Sequence, residues 1–432
     1  MIANAKKIRP AIRIIGRLIL KNYLSQKHAS LLVFACWLVY TAAYVGRLDY
    51  SASMVKIIAE LGITNDQGGT IYSCFALTYG IGQLVNGLLC KYYNPKYVIT
   101  GALSTSALIN LLMPLSGDWR IMALLWLCNG IVQSMLYSLI IRTISLNIKS
   151  SGISRAIYTM STTVAIGTAL AYGISALSVA LNNWKATFFI AAAVLLIAAG
   201  VWASILTRIE KAKAAGDVEA DDAPIAPSPQ TAPHSRLNLL FVSTLIFIGI
   251  TAIANGFIKD GVNNWLPKLL HDEFGVQDSL SIILTLLLPV FSILGAVLAR
   301  KIYLSLQNHL LINGIFYGIA FALALGVYLL YPLRSVPLTM VLFIGLACMM
   351  AAINNVITSM FPLDNRDKLD SGLLAGLLDT LCYVGSSSAG MLLGILSRTQ
   401  GWESVLMTLL ILALVAAAIS LAGRLALKRK HN

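Results

Sequence analysis

Twelve long apolar blocks, separated by short polar connections, constrain this chain more than any single motif does. They run approximately over residues 29–47, 69–90, 97–116, 120–142, 157–181, 184–206, 237–258, 277–299, 308–331, 336–361, 371–397 and 402–423. Each is close to the roughly 20 residues a helix needs to cross a hydrocarbon core about 30 Å thick. Backbone polar groups in lipid must bond within their own segment, so each block is expected to be a membrane-spanning helix. Composition agrees, with 58% of residues hydrophobic and only 12% charged. The expected fold is an all-α integral membrane protein.

A net charge of +14 would suit a nucleic-acid partner, but its placement points to the bilayer instead. Lys6, Lys7, Arg9, Arg13, Arg17, Lys21 and Lys27 precede the first block, and Arg424, Lys428, Arg429 and Lys430 follow the last. Connections on the same side add Lys91, Lys96, Arg142, Lys149, Arg155, Arg208, Lys211, Lys213, Arg236, Arg300, Lys301, Arg366 and Lys368. The positive-inside rule then makes both termini cytoplasmic, as an even number of spans requires. Residues 11–24, AIRIIGRLILKNYL, mix basic and apolar side chains at helical spacing and are expected to lie along the inner leaflet. No cleavable leader is expected, because the first block follows a basic lead and lacks a small-residue cleavage site behind it. Cys36, Cys74, Cys90, Cys128, Cys348 and Cys382 all fall in or beside spans without CxxC spacing. They read as packing residues, and neither a metal site nor a cofactor is expected.

Arg208 to Arg236, charged at first and then rich in Pro and Ala, reads as a flexible cytoplasmic linker. The expected organisation is a basic lead (1–28), a six-helix bundle (29–207), the linker (208–236), a second six-helix bundle (237–424) and a basic tail (425–432). Six spans plus six is the layout of folds whose halves rock about a midplane site. The halves echo each other: Gly87 precedes the basic connection from Lys91 to Lys96, and Gly295 precedes Arg300 and Lys301. Arg47, in YVGRLDYS, closes the first block, and Lys259, in NGFIKDGVNNWLP, closes the seventh.

A cation at the bilayer centre costs about 2.5–3.5 kcal/mol, so two at equivalent positions suggest one anion held between the halves. The competing reading is that both snorkel to the outer headgroups. Asp49 and Asp260 beside them are either ion-pair partners or solvated loop residues. Tyr40, Tyr44 and Arg47 stand at i, i+4 and i+7, on one helix face. The pairs Tyr79 and Gln83, Asn255 and Lys259, and Asp379 and Tyr383 repeat i, i+4 spacing. One such pair alone reads as interhelical glue. Several near one seam offer an anion hydrogen bonds without further charge, with arginine supplying a bidentate fork.

On these residues the chain resembles the major facilitator superfamily, and within it the organophosphate:phosphate antiporters, the carriers of glycerol 3-phosphate and hexose phosphates. Tyr40, Tyr44 and Arg47 match that family's two tyrosines and its phosphate-binding arginine. Lys259, followed by Gly-Val and Trp-x-Pro, falls where the family has a second arginine. Tyr79 and Gly87 in YGIGQLVNG match span two, and Tyr383 in YVGSS matches a site tyrosine of span eleven. The chain also departs from the pattern. Lysine at 259 keeps the charge but loses the planar fork. Gln83 stands where the family has a lysine, and its span-five histidine falls on Thr162 or Thr163. Lys91 replaces the acidic residue of the superfamily's loop motif after span two.

The resemblance implies exchange of an organophosphate for inorganic phosphate by alternating access, in a monomer of the bacterial inner membrane. Asp379, the one carboxylate deep inside an apolar block, supports a different expectation, a proton-coupled symporter of a carboxylate or sugar acid. An equal expectation is that Asp379 only pairs with Lys259 or with Asn354 and Asn355. A third possibility is a transporter-like sensor without net flux. A membrane-embedded enzyme is not expected, since no His/Cys cluster or nucleophile elbow is present.

Overall fold

The computed structural model describes residues 22–220, 239–366 and 368–429. Twelve helices within these residues are long and apolar enough to cross a membrane. They are α1 (Gln26–Leu61), α2 (Asn65–Tyr92), α3 (Pro95–Leu115), α4 (Trp119–Asn147), α5 (Ser151–Ala180) and α6 (Trp184–Ala214), then α7 (Leu239–Phe274), α8 (Asp278–Leu306), α9 (His309–Leu333), α10 (Val336–Asp364), α11 (Ser371–Thr399) and α12 (Trp402–Leu427). Tight connections are possible because the chain supplies its own start signals. Asn94 caps α3 just before Pro95, and Asp118, Asn308 and Asp370 accept backbone hydrogen bonds at the starts of α4, α9 and α11.

Lipid tails are as apolar as leucine, so helix association in a bilayer rests on close packing and on interhelical hydrogen bonds. Both are visible. A Cβ built on Gly256 of α7 would collide with the Cys382 backbone of α11, and one on Gly385 of α11 with the Ile253 carbonyl of α7. The Tyr317 hydroxyl donates to the Thr251 carbonyl at 2.6 Å, tying α9 to α7. Large apolar side chains such as Ile197, Leu294 and Val341 point outward, as a lipid-facing surface requires. Helices α1–α6 and α7–α12 form the two halves, which meet mainly where α2 runs along α11 and α5 along α8.

The structure corrects the expected ends of spans one and seven. Both α1 and α7 are 36-residue helices, so Arg47 and Lys259 lie near their middles and close neither. A charge usually marks a span terminus because water is its usual place, but here α1, across a kink, and α7 both continue past these residues.

A second difference lies at the cytoplasm-assigned end. Helix α6 continues past residue 207 to Ala214, and Asn22–Leu24 (β1) pairs antiparallel with Val218–Ala220 (β2), Tyr23 opposite Glu219. Residues 22–24 of the expected amphipathic helix are therefore strand, with Leu24 buried. The remainder of that helix, residues 221–236 of the linker and the first two residues of the second bundle fall outside the described residues, as do 430–432 of the tail.

Candidate functional site

A cavity of about 520 Å³ lies between the halves, and Arg47 and Lys259 both line it. It shares Gln83, Tyr137, Thr358, Ser359 and Asp379 with a second space of about 650 Å³ that leads past Arg142 to Asp370. At the opposite end the halves are locked together. Tyr72 and Ser386 hydroxyls are 2.6 Å apart, Asn65 donates to Ser397 at 3.0 Å, and Arg398 pairs with Asp66 at 2.9 Å. The molecule is thus open toward one end, the end that carries β1 and β2, and closed at the other.

Arg47 reaches the cavity because α1 is broken just before it. Gly46 has non-helical torsions (φ −83°, ψ 18°), which frees its carbonyl oxygen from the helix ladder. Three amides occupy that oxygen: Asn110 at 3.3 Å, Asn129 at 3.0 Å and Gln133 at 3.0 Å, from α3 and α4. Gln133 ends the first segment of α4, which resumes as helix at Leu136. An unmet carbonyl in a bilayer is costly, so this cage holds the kink in place. Replacing Gln133 with leucine should lower thermal stability by about 1–3 kcal/mol and raise the apparent KM by loosening Arg47. Thermal unfolding and initial-rate kinetics would check both; an unchanged melting temperature and KM would mean that the other two amides suffice.

Arg47 is buried in an aromatic box. Its guanidinium carbon lies 3.6 Å from the Tyr44 ring centre and 5.1 Å from that of Tyr79, and Nη1 donates to the Tyr79 hydroxyl at 2.7 Å. Tyr40 flanks Tyr44 edge-on at 5.3 Å. Ring faces repay part of the desolvation of a cation without neutralising it. Among the described residues no carboxylate pairs with Arg47, which leaves guanidinium donors for a ligand.

The opposite wall is charged differently. Lys259 pairs with Asp260 at 3.5 Å, and Asp379 from α11 also lines the cavity. Asp379 makes no ion pair and no hydrogen bond among the described residues. The expected pairing with Asn354 and Asn355 is absent, Asn354 accepting instead from Asn255 at 3.1 Å. Tyr383, one turn along from Asp379, meets Tyr79 across the seam with ring centres 5.0 Å apart.

Two expected site residues lie elsewhere. Asp49 is fully buried but does not pair with Arg47; its Oδ1 accepts from the Tyr50 backbone at 2.7 Å and its Oδ2 has no partner among the described residues. It is therefore neither the ion-pair partner of Arg47 nor a solvated loop residue, because α1 does not end there. The Thr162 hydroxyl accepts from the Trp37 indole at 2.9 Å and does not line the cavity; Thr168 and Tyr172, further along the same helix, take its place. Arg47, Lys259, Tyr40, Tyr44, Tyr79, Gln83, Tyr383, Asp260 and Asp379 are brought together. The sequence reading missed Tyr72, Tyr137 and Asn263 on the same walls. It also missed the amide cage, whose signal was present: Asn110, Asn129 and Gln133 are polar residues inside apolar blocks.

Helix α10 contains a π-helical turn, Val356–Met360, which brings Thr358 and Ser359 to the junction of the two spaces. Such turns are rare and gather at functional sites.

The family model described as Major Facilitator Superfamily matches residues 32–369. Over 100 residues the chain is 31% identical to a probable hexose phosphate transport protein of Chlamydia trachomatis, a match covering 23% of this chain and 22% of that one. The glycerol-3-phosphate transporter of Bacillus subtilis is 23% identical over 401 residues, 88% of this chain and 89% of that one. Among solved structures, a bacterial homolog of the human lysosomal transporter Spinster, inward-facing and unoccupied, superposes with a TM-score of 0.73 at 15% identity, covering 93% of this chain and 98% of that one. At that identity the likeness concerns the fold alone.

Proposed function

This chain belongs to the major facilitator superfamily of membrane transporters, and from that premise we propose that it carries a small organic anion by alternating access, as an organophosphate exchanged for inorganic phosphate. The observation that carries this reading is Arg47: a buried guanidinium in the cavity between the halves, held by rings and a hydroxyl and by no carboxylate. A phosphate or carboxylate suits its fork. The kinship with hexose phosphate and glycerol-3-phosphate carriers favours phosphate. A ligand contacting Arg47 on one half and Lys259 on the other would draw the halves together, so the loaded carrier rocks more readily than the empty one. With the basic connections in the cytoplasm of a bacterial inner membrane, the open end would face inward.

The test is uptake of radiolabelled phosphate into proteoliposomes, preloaded with phosphate or empty, at equal pH. Uptake confined to preloaded vesicles would support exchange, whereas no flux but retained binding would favour a sensor. Lys259→Ala should reduce exchange at least about tenfold, since a charge-assisted contact of about 1.5–3 kcal/mol is lost. Wild-type rates in that variant would remove Lys259 from the site.

A second reading, proton-coupled uptake of a carboxylate, draws on Asp260 and Asp379, which match the two cavity cations in number. It requires uptake driven by a pH gradient into empty vesicles.

A further inference from the structure

The two cations and two carboxylates of the cavity do not all answer one another. Lys259 has Asp260 at 3.5 Å. That leaves Arg47 on the first half without a carboxylate in ion-pair reach, and on the second half a carboxylate in excess, since Asp260 and Asp379 share Lys259 and Asp379 has no hydrogen bond or close ion pair among the described residues, all facing the same space. A simple dianion would meet Arg47 favourably but would also face the Asp379 carboxylate across the cavity. An excess cation on one wall of a cavity and an excess carboxylate on the other mark a substrate pathway with two poles.

We infer that the transported molecule is a small amphoteric anion, carrying an ammonium group a few atoms from its phosphate, sulfonate or carboxylate. Its anionic end binds Arg47 among Tyr40, Tyr44 and Tyr79, and its ammonium end donates to Asp379. The aromatic wall runs from one pole to the other. Arg47 touches the Tyr79 hydroxyl at 2.7 Å, Tyr79 meets Tyr383 at 5.0 Å, and Tyr383 stands one helical turn from Asp379. Both poles line one cavity of about 520 Å³, which has room for a molecule with a short carbon bridge. Such a substrate keeps the loaded cavity close to neutral, which a lone dianion does not. This inference rests on the anion reading above and narrows it to one substrate class.

The experiment uses the full chain in lipid nanodiscs and three matched pairs that differ in the ammonium group: phosphoethanolamine against glycerol 3-phosphate, taurine against ethanesulfonate, and β-alanine against propionate. Thermal stabilisation is titrated for each. In whichever pair binds, the ammonium member should bind about tenfold more tightly, the size of one charge-assisted hydrogen bond. Asp379→Asn should bring that ratio near one, and Asp379→Glu, which keeps the charge, should preserve it. Equal or reversed preference in the wild type overturns the inference and leaves the anion reading standing, as does a ratio that Asp379→Asn leaves unchanged. If no member of any pair binds, the anion reading fails and takes the inference with it. The wild-type comparison decides the matter even where a variant does not fold.

Discussion

Arg47→Ala should reduce transport to below about one hundredth of wild type while the protein remains folded. Two charge-assisted bonds of about 1.5–3 kcal/mol each, lost together, amount to at least two orders of magnitude in substrate affinity. Folding should survive because the guanidinium is itself a burden: its burial is offset by the Tyr44 face and the Tyr79 hydroxyl, not by an ion pair that alanine would orphan. Its removal breaks no close ion pair among the described residues, and breaking one is the usual cause of collapse when a buried charge is deleted. Arg47→Lys is the sharper companion. It keeps the charge but loses the fork and the flat stacking on Tyr44, so it should retain partial binding with much reduced discrimination. Initial uptake rates together with thermal unfolding separate the two effects. A variant that unfolds several degrees early would assign Arg47 a structural role, and wild-type flux would end the anion-site reading.

What the sequence made legible follows from the physics that each feature obeys. Twelve spans and two halves can be read because a bilayer forbids unsatisfied backbone and so imposes length and apolarity on every crossing. The clustering of Tyr40, Tyr44, Tyr79 and Tyr383 around Arg47 could be anticipated from spacing within helices, aided by resemblance to a family. The position of Arg47 along its helix could not. Arg47, Asp49, Lys259 and Asp260 look like the polar margins of spans, and only the partners supplied by other helices show that α1 and α7 run on to Leu61 and Phe274. The same limit applies to rotation. Helices that are apolar nearly all round give no periodicity from which to orient them, so Thr162 looked as good a wall residue as Thr168, and Asp49 as good a partner as Asp260. Nor could the Gly46 kink be seen from α1 alone, since its cause lies in the amides of α3 and α4 that receive the freed carbonyl.

Gly69→Leu should abolish transport by a different route, by forbidding the conformation described here. At the closed end, α2 and α11 approach so nearly that a Cβ at Gly69 would collide with the Gly390 carbonyl oxygen and crowd Trp265. Backbone cannot retreat as a flexible side chain would, and the collision involves two halves that must part and rejoin in every cycle. Overpacking costs about 1–3 kcal/mol in cores that can adjust and more where backbone is struck, enough to shift a two-state equilibrium by ten- to a hundredfold or beyond. The cost falls only on the state in which this end is shut, so the protein should fold and rest open at the Asp66 and Arg398 end. Cysteines placed at these two positions, where an arginine arm now spans the gap, should be bridged readily by a bifunctional thiol reagent of that arm's length in an otherwise cysteine-free background, and poorly once Gly69→Leu is added. Gly200→Leu is the control, because nothing lies within 4 Å of its Cβ direction and the added side chain meets lipid. It should transport and cross-link normally. Were Gly69→Leu also to cross-link and transport at wild-type levels, the α2 and α11 contact could not be the gate, and the seal would have to lie with the hydroxyl and amide pairs further along the same seam.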